Sequence, residues 1–347
     1  MAQEKIRVWF NHWFSTVYDI INLLKEGEDR FYIISTNQNP DAVMKEVSDE
    51  FYVEPQLHGE DYVNYCLDFC RSHKIQIFIP RKNQPDLAGE LKRFQDAGVR
   101  VLMEPDETKI RTLNDKRKTY ELFEKLQIGR IPPYRIVTDA DAFEKAYWDL
   151  KKENNRVCFK FVQDEGGMSF RVVDDKIIRY QGLFSSPGRK ITLEQTLEAL
   201  REQEHFPELM VMPYLDGKEI SVDCLNTAAG LIAIPREKGN TRVEKIVFPR
   251  EILETCDRFF EKYGLYGPCN IQFRYDKDTA YLLEVNTRMS GGVQLSCVGT
   301  GVNIPKVAVC ALLGEELPWS LQRREQKVSY VEMPVVLSDK ISEGARE

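Results

Sequence analysis

Glu284, Asn286 and Arg288 stand at alternate positions in the run YLLEVNTRMSGG, residues 281–292. In an extended strand, residues two apart share a face. An acid, an amide and a guanidinium therefore line one side, and Val285 and Thr287 take the other. The preceding run, CNIQFRYDKD, reads as the partner strand of a hairpin turned at Tyr275-Asp276-Lys277-Asp278-Thr279. If the register sets Gln272 opposite Glu284, then Gln272, Glu284 and Asn286 are clustered oxygen ligands with little formal charge. Mg²⁺ accepts such a partial cage when phosphate oxygens and waters complete its octahedron. Arg288, one step further, is placed to bind a transferring phosphoryl group. The same residues also fit a solvated edge hairpin with ordinary polar side chains on its outer face.

The remaining composition narrows the classes. The chain has 347 residues, more than one core usually serves, so two or three domains are expected. Lys and Arg total 48 against 55 Asp and Glu, a formal net charge of −7. That balance gives no general electrostatic reason to bind nucleic acid or an anionic membrane. The N-terminus, MAQEKIRVWFNHWF, lacks the apolar core of a signal peptide, and no stretch approaches the roughly 18 apolar residues of a span. The eight cysteines are scattered without a CxxC pair, and they read as buried thiols in a reducing cytosol. The four histidines show no ligand spacing for zinc. No serine, histidine and acid, or cysteine and histidine, form a nucleophilic constellation.

The elements that must position the hairpin follow from periodicity. Over the first hundred or so residues, KIRVWF, RFYIIST, EFYVEP, IQIFIP and VRVLME are short β-rich runs. They alternate with helical patterns in TVYDIINLLKEG, DAVMKEV, EDYVNYCLDFCRSHK and QPDLAGELKRFQDAG. This alternation predicts a parallel, doubly wound sheet. Its first turn, FNHWFSTVYD, has no glycine, so a dinucleotide fingerprint is rejected. A helix beginning at Ser15 or Thr16 could still hold an anion at its N-terminus. Beyond EPDETKI the pattern becomes α+β with mostly antiparallel strands: RVCFKFV, SFRVVDD, ELMVMPYL, KEISVDCLN and GLIAIPRE, then the hairpin. Helices are expected at NDKRKTYELFEKLQ, DADAFEKAYWDLKKEN, TLEQTLEALREQEHF, REILETCDRFFEKYG and NIPKVAVCALLGEE, with a frayed end at SEGARE.

EVNTRMSGG together with NIQF resembles the metal-binding end of the ATP-grasp superfamily, in particular its carbamoyl-phosphate-synthase-like members. The resemblance implies that Gln272, Glu284 and Asn286 bind Mg²⁺ (or Mn²⁺) and that Arg288 contacts the reacting phosphate. The order of other segments agrees, over roughly residues 105 to 318. NDKRKTYELFEKLQIGRIPP resembles the start of the ATP-binding half, with Lys116 reaching the nucleotide phosphates. VCFKFVQDEGGMSFRVV resembles the phosphate-covering hairpin, with Lys160 on the strand and Gly166-Gly167 letting the loop close. Here the chain departs from the family pattern: Asp164-Glu165 precede the glycines, and Phe170 stands where a small residue is common. ELMVMPYLDGKEISVD resembles the adenine strand, with Met212, Pro213, Tyr214 and Leu215 reading the base and Glu219 the ribose.

The implied architecture is an N-terminal doubly wound parallel αβ domain, residues 1–105, followed by a two-lobed ATP-grasp domain. The small lobe would span 106–190, the large lobe 191–330, and a C-terminal strand and tail 331–347. The implied activity is an ATP-dependent ligase that activates a carboxylate as an acylphosphate for attack by an amine or ammonia. Arg242, in REKGNTRVEK, is the candidate for a substrate carboxylate, with Ser290-Gly291-Gly292 offering backbone N–H groups to the same substrate. A solvated basic turn accounts for REKGNTRVEK equally well. A nucleotide-binding regulator with the same fold and little catalysis is the alternative. A biotin carboxylase is less well matched, because its glutamate-rich strand and biotinyl-lysine context have no counterpart. Stand-alone ATP-grasp proteins found beside tellurium-resistance genes share the size and layout. The expected partners are small-molecule carboxylate and amine substrates, with no nucleic acid and no membrane, in the cytoplasm. A homodimer is compatible with this reading.

Overall fold

The computed structural model describes residues 4–12, 14–153, 156–164, 167–174, 188–239 and 241–342. The chain divides into two compact units, and each is built from segments distant in sequence. The first comprises Met1–Arg111, Ile220–Gln272 and Val285–Glu347; the second comprises Thr112–Glu219 and Phe273–Glu284.

The first unit opens with the expected parallel sheet. Its strands are β1 (Ile6–Asn11), β2 (Phe31–Asn37), β3 (Glu50–Val53), β4 (Ile77–Ile79) and β5 (Arg100–Val101), in the order β3-β2-β1-β4-β5. Every pairing is parallel, with Val8 opposite both Ile33 and Ile77. Strand alternation sends the side chains to two cores. Val8, Phe10, Ile33 and Ile77 face one, while Trp9, Ile34 and Phe78 face the other, where the Trp9 and Phe78 rings stack at 4.0 Å. The first core is shared with Ile232, Ile234, Ile246, Ile304, Val307 and Ala308 from much later in the chain. Fully burying one such side chain is worth about 1.5–3 kcal/mol. Residues 338–342 run beside β3: Ser342 N donates to Phe51 O at 2.7 Å, and Ser338 Oγ bonds Glu46 at 3.0 Å.

Several helices differ from the sequence reading. DAVMKEV makes only a single 3₁₀ turn at Val43–Glu46, because a stretch this short, closed by Ser48 Oγ bonding Met44 O, cannot nucleate an α-helix. QPDLAGELKRFQDAG breaks into Gln84–Gly89 and Leu91–Asp96, where Gly89 weakens helical continuity. An unanticipated helix, Glu107–Asn114, precedes the expected Lys116–Leu126. The helix begun by TLEQ carries a capping box of Thr192 and Gln195 but stops at Leu200, before Glu202 and Glu204, whose charges oppose a helix C-terminus. SGGVQLSCVGT adds a helix at Val293–Thr300.

In the second unit, β6 (Arg135–Val137), β7 (Val157–Phe161), β8 (Arg171–Val173), β9 (Lys190–Ile191) and β10 (Leu209–Pro213) form a sheet in the order β6-β10-β7-β8-β9. Only the β8–β9 pairing is parallel. The helix Ala140–Lys151, capped by the Asp139 side chain, covers one face with Phe143, Tyr147 and Leu150. Val157, Phe159, Leu209 and Val211 point into that core. By alternation Cys158, Lys160, Met210 and Met212 lie on the opposite face.

A third sheet has the order β15-β14-β11-β12-β13-β16. Its strands are β11 (Glu219–Thr227), β12 (Gly230–Lys238), β13 (Val243–Ile246), β14 (Pro268–Asp276), β15 (Thr279–Asn286) and β16 (Gln326–Ser329). The last strand thus lies ahead of the expected 331–347, and residues 331–342 form none. Five of the six residues reading SEGARE lie outside the described residues. The hairpin turns at Lys277-Asp278, with Lys277 in the left-handed region at φ 53°. Among the described residues, no single helix is long and apolar enough to cross a membrane.

Candidate functional site

On the second unit, the face opposite the helical core carries two lysines. Lys160 sits on β7 in register with Met210, and Cys158 pairs with Met212. Lys160 is 7% exposed, and its Nζ donates to Leu283 O at 3.3 Å. Burial pushes its pKa down to about 8; the nearby Lys116 adds to the fall, and Glu284 opposes it. Lys116 opens its helix behind the N-cap Asp115, whose carboxylate accepts from Lys118 N at 2.9 Å. Lys116 Nζ donates to Asp164 O at 2.8 Å and lies 3.9 Å from Glu284 Oε2. Two buried ammonium groups therefore share one carboxylate, a strongly cationic arrangement suited to phosphate.

After β7, Asp164 is tied to Ser169. Asp164 Oδ2 accepts from Ser169 N at 2.9 Å and Ser169 Oγ at 2.6 Å. Of the departure Asp164-Glu165, the first acid thus holds Ser169. Gly167 adopts φ +62°, where a side chain would be strained. Glu165 and Gly166 lie outside the described residues. Phe170, the other departure, places its ring 6.4 Å from that of Tyr214.

Met210, Met212 and Leu215 are buried and Pro213 ends β10, so the expected purine wall is apolar. Tyr214 is clamped by cations: Arg156 lies 4.4 Å and Arg274 5.0 Å from its ring centroid. Arg274 also donates to Tyr214 OH at 3.0 Å and pairs with Glu219 at 3.4 Å. The turn before Glu219 is tight. Gly217 N donates to Tyr275 O at 2.9 Å, and a Cβ at Gly217 would meet that oxygen at 2.5 Å.

Along β15 and beyond it the alternation is as read. Val285 and Thr287 are buried at 2% and 6%, and Glu284, Asn286 and Arg288 are half-buried. Gln272 lies on β14, the neighbouring strand of the sheet. Its Nε2 donates to Asn270 Oδ1 at 3.1 Å. Arg288 Nη1 approaches Met289 O at 3.4 Å. All three proposed ligands offer hard oxygen, which suits Mg²⁺. Among the described residues no three His, Cys, Asp or Glu side chains gather as a metal cage.

Arg242 is elsewhere in character. Its side chain is 59% exposed and pairs with Glu332. Of the four basic residues that REKGNTRVEK offers, Arg236, Lys238, Arg242 and Lys245, the sequence reading chose Arg242, whereas the deeply buried one is Arg236 on β12, 1% exposed. Its Nε reaches Asp223 at 3.1 Å and Ser296 at 2.9 Å, Nη1 pairs with Glu244, and Nη2 donates to Ser290 at 3.1 Å. Burial alone lowers its pKa, but Asp223 and Glu244 more than reverse this and hold it above the ordinary value. The signal was present: Asp223 and Arg236 are opposite charges inside apolar runs that became neighbouring strands.

With this geometry in hand, comparison with known proteins gives a consistent picture. Residues 205–334 match the family described as ATP-grasp in the biosynthetic pathway with Ter operon. The arginine-specific carbamoyl phosphate synthase large chain of Geobacillus stearothermophilus is 24% identical over 322 residues, 88% of this chain and 28% of that protein. The large chain from Methanothermobacter thermautotrophicus is 27% identical over 311 residues, 84% of this chain and 27% of its own length. The chain thus spans less than a third of these curated relatives. Among solved structures, an ADP complex of N5-carboxyaminoimidazole ribonucleotide synthetase superposes with TM-score 0.68 at 10% identity, covering 94% of this chain and 82% of that one. The biotin carboxylase domain of Hydrogenobacter thermophilus 2-oxoglutarate carboxylase, with MgADP, ADP and bicarbonate, gives 0.63 at 17% identity, covering 92% and 72%. Identities this low speak for the fold alone.

Proposed function

We propose, on the premise of its ATP-grasp fold, that the chain is an ADP-forming ligase joining a small-molecule carboxylate to an amine or ammonia in the cytoplasm. The observation that carries the reading is the pair Lys116 and Lys160, buried on one face and sharing Glu284. Buried cations on the sheet face that also carries Met210 and Met212 suit a nucleotide whose phosphates replace Glu284 as their counter-charge. Glu284 would then, with Gln272 and Asn286, hold Mg²⁺ or Mn²⁺, which would supply positive charge at the phosphates. Backbone groups from Met212 to Leu215 would read the adenine edge, and Glu219 the ribose hydroxyls. The Gly166-Gly167 loop would cover the phosphates.

The chemistry needs placement rather than a side-chain nucleophile. A substrate carboxylate oxygen attacks the γ-phosphorus, and the bond to the bridging oxygen breaks with ADP as leaving group. The amine then attacks the acyl carbon, and phosphate departs with the former carboxylate oxygen while the amine's surplus proton passes to solvent. Arg288 would hold the transferring group. Arg242 is proposed for a substrate carboxylate, which requires it to leave Glu332. The test is isotopic: substrate carboxylate labelled with ¹⁸O should deliver label to inorganic phosphate alongside ADP. AMP formation, or unlabelled phosphate during product formation, would overturn the assignment. ATP binding without substrate-dependent turnover across carboxylate and amine pools would favour the regulator.

A further inference from the structure

We propose that Asp223 and Asn270 form a buried positioning relay that turns the Gln272 amide so that its oxygen, and not its nitrogen, is left to ligate the metal. The inference rests on the nucleotide–metal reading above and concerns residues which that reading leaves out. The two ends of a glutamine amide are nearly equal in shape, but only the oxygen can bind a divalent cation. Something must therefore choose between them.

The choice begins at a charge. Asp223, 2% exposed on β11, is paired with the Arg236 guanidinium, and its Oδ2 also accepts from Ser296 Oγ at 2.6 Å. A carboxylate so paired offers only acceptors. Asn270, fully buried on β14, turns one end of its amide toward Asp223 Oδ1 at 3.0 Å, Val222 O at 3.1 Å and Ser221 Oγ at 2.9 Å. The first two can only accept, so that end must be the NH₂ group, and Asn270 Oδ1 faces the other way. There it accepts a hydrogen bond from Gln272 Nε2 at 3.1 Å, which commits the nitrogen of Gln272 and leaves Oε1 to face the metal. The same guanidinium reaches the Ser290–Gly292 turn. Arg236 Nη2 donates to Ser290 Oγ, that oxygen accepts from Gly292 N at 3.1 Å, and a side chain at Gly292 would run into Arg236. One buried ion pair thus fixes a ligand amide and a glycine turn together.

The test reads metal affinity rather than turnover. Mn²⁺ is titrated into the full chain saturated with ADP, and free Mn²⁺ is followed by electron paramagnetic resonance. Asn270→Ala should weaken Mn²⁺ roughly 10- to 100-fold, as loss of an outer partner of a metal ligand commonly does, while leaving metal-free ADP affinity unchanged. Adding Gln272→Glu, whose two ends are both oxygens, should restore Mn²⁺ binding in the double variant. A merely structural role for Asn270 would give no such rescue. Where alanine does not fold, Asn270→Ser keeps a hydroxyl toward Asp223 and allows the same comparison. Unchanged Mn²⁺ affinity in the Asn270 variant, or a loss that Gln272→Glu fails to repair, overturns the relay. Gln272→Ala separates the two levels. If it leaves Mn²⁺ affinity intact, the metal reading falls and the relay with it; if it weakens Mn²⁺ while Asn270→Ala does not, only the relay falls.

Discussion

Lys160 carries an electrostatic cost that the nucleotide-free protein cannot avoid. Its pKa in the folded chain is about 8, below the ordinary 10.5 of an exposed lysine. Between those values the unfolded chain holds a proton that the folded chain has released, so this group makes stability rise with pH through the window. Below pH 8 both states are protonated and the penalty is at its full size, at most about 3 kcal/mol. Lys160→Met should therefore be more stable than the parent at pH 7, with the gap narrowing as pH approaches 10.5. Urea midpoints across that range would show it, and a constant gap would count against the buried charge. At this scale the legible residues were those whose role follows from local periodicity, such as Glu284, Asn286 and Arg288. Arg236 was visible as a basic residue but its buried network was not, because its partners Asp223, Glu244, Ser290 and Ser296 come from separate parts of the chain.

Elements were readable where a hydrophobic period or a cap was strong, and less so where competing signals met. The parallel strands were plain from their β-branched and aromatic runs. The broken helix around Gly89 and the 3₁₀ turn at Val43–Glu46 were not, since short segments follow neighbours more than propensity. Nor does sequence give the cross-strand register of β14 and β15, on which the ligand set depends. The turn preceding β11 illustrates an element fixed by lack of room. Gly217 lies against the Tyr275 backbone, so Gly217→Ala must push two paired chain segments apart. A destabilisation of about 1–3 kcal/mol is expected, with weaker ATP binding because Glu219, the proposed ribose contact, lies two residues on. A urea midpoint and ATP affinity both equal to the parent's would show that the turn has slack.

For the molecule as a whole, the main departure from a beads-on-a-string picture is the interleaving of segments. Alternating strands and helices over the first hundred residues read like a self-sufficient domain. Its sheet nevertheless shares a core with Ile232, Ile234, Ile304 and Val307, and its edge strand β3 is bonded to residues 338–342. Sequence patterns give faces, not the identity of whatever covers them. A fragment of residues 1–105 should therefore expose that apolar face and fail to fold cooperatively. Circular dichroism melting and amide dispersion in NMR would check this, and a sharp, reversible transition in the fragment would refute it.

All eight cysteines are free and buried, and their distribution between the two units is uneven. Cys158 alone belongs to the second unit; the other seven belong to the first. Burial pushes the Cys158 thiol up to about 12, so it is inert to alkylating reagents until the strand around it opens. Peptide-resolved alkylation thus contains two independent clocks. Modification at Cys158 times the opening of the lysine-bearing sheet, and modification at Cys66 or Cys224 times the opening of the first unit. Because Cys158 is in register with Met212 and two residues from Lys160, saturating ATP should slow its clock far more than theirs. Equal slowing at every cysteine would mean that the chain opens only as one body.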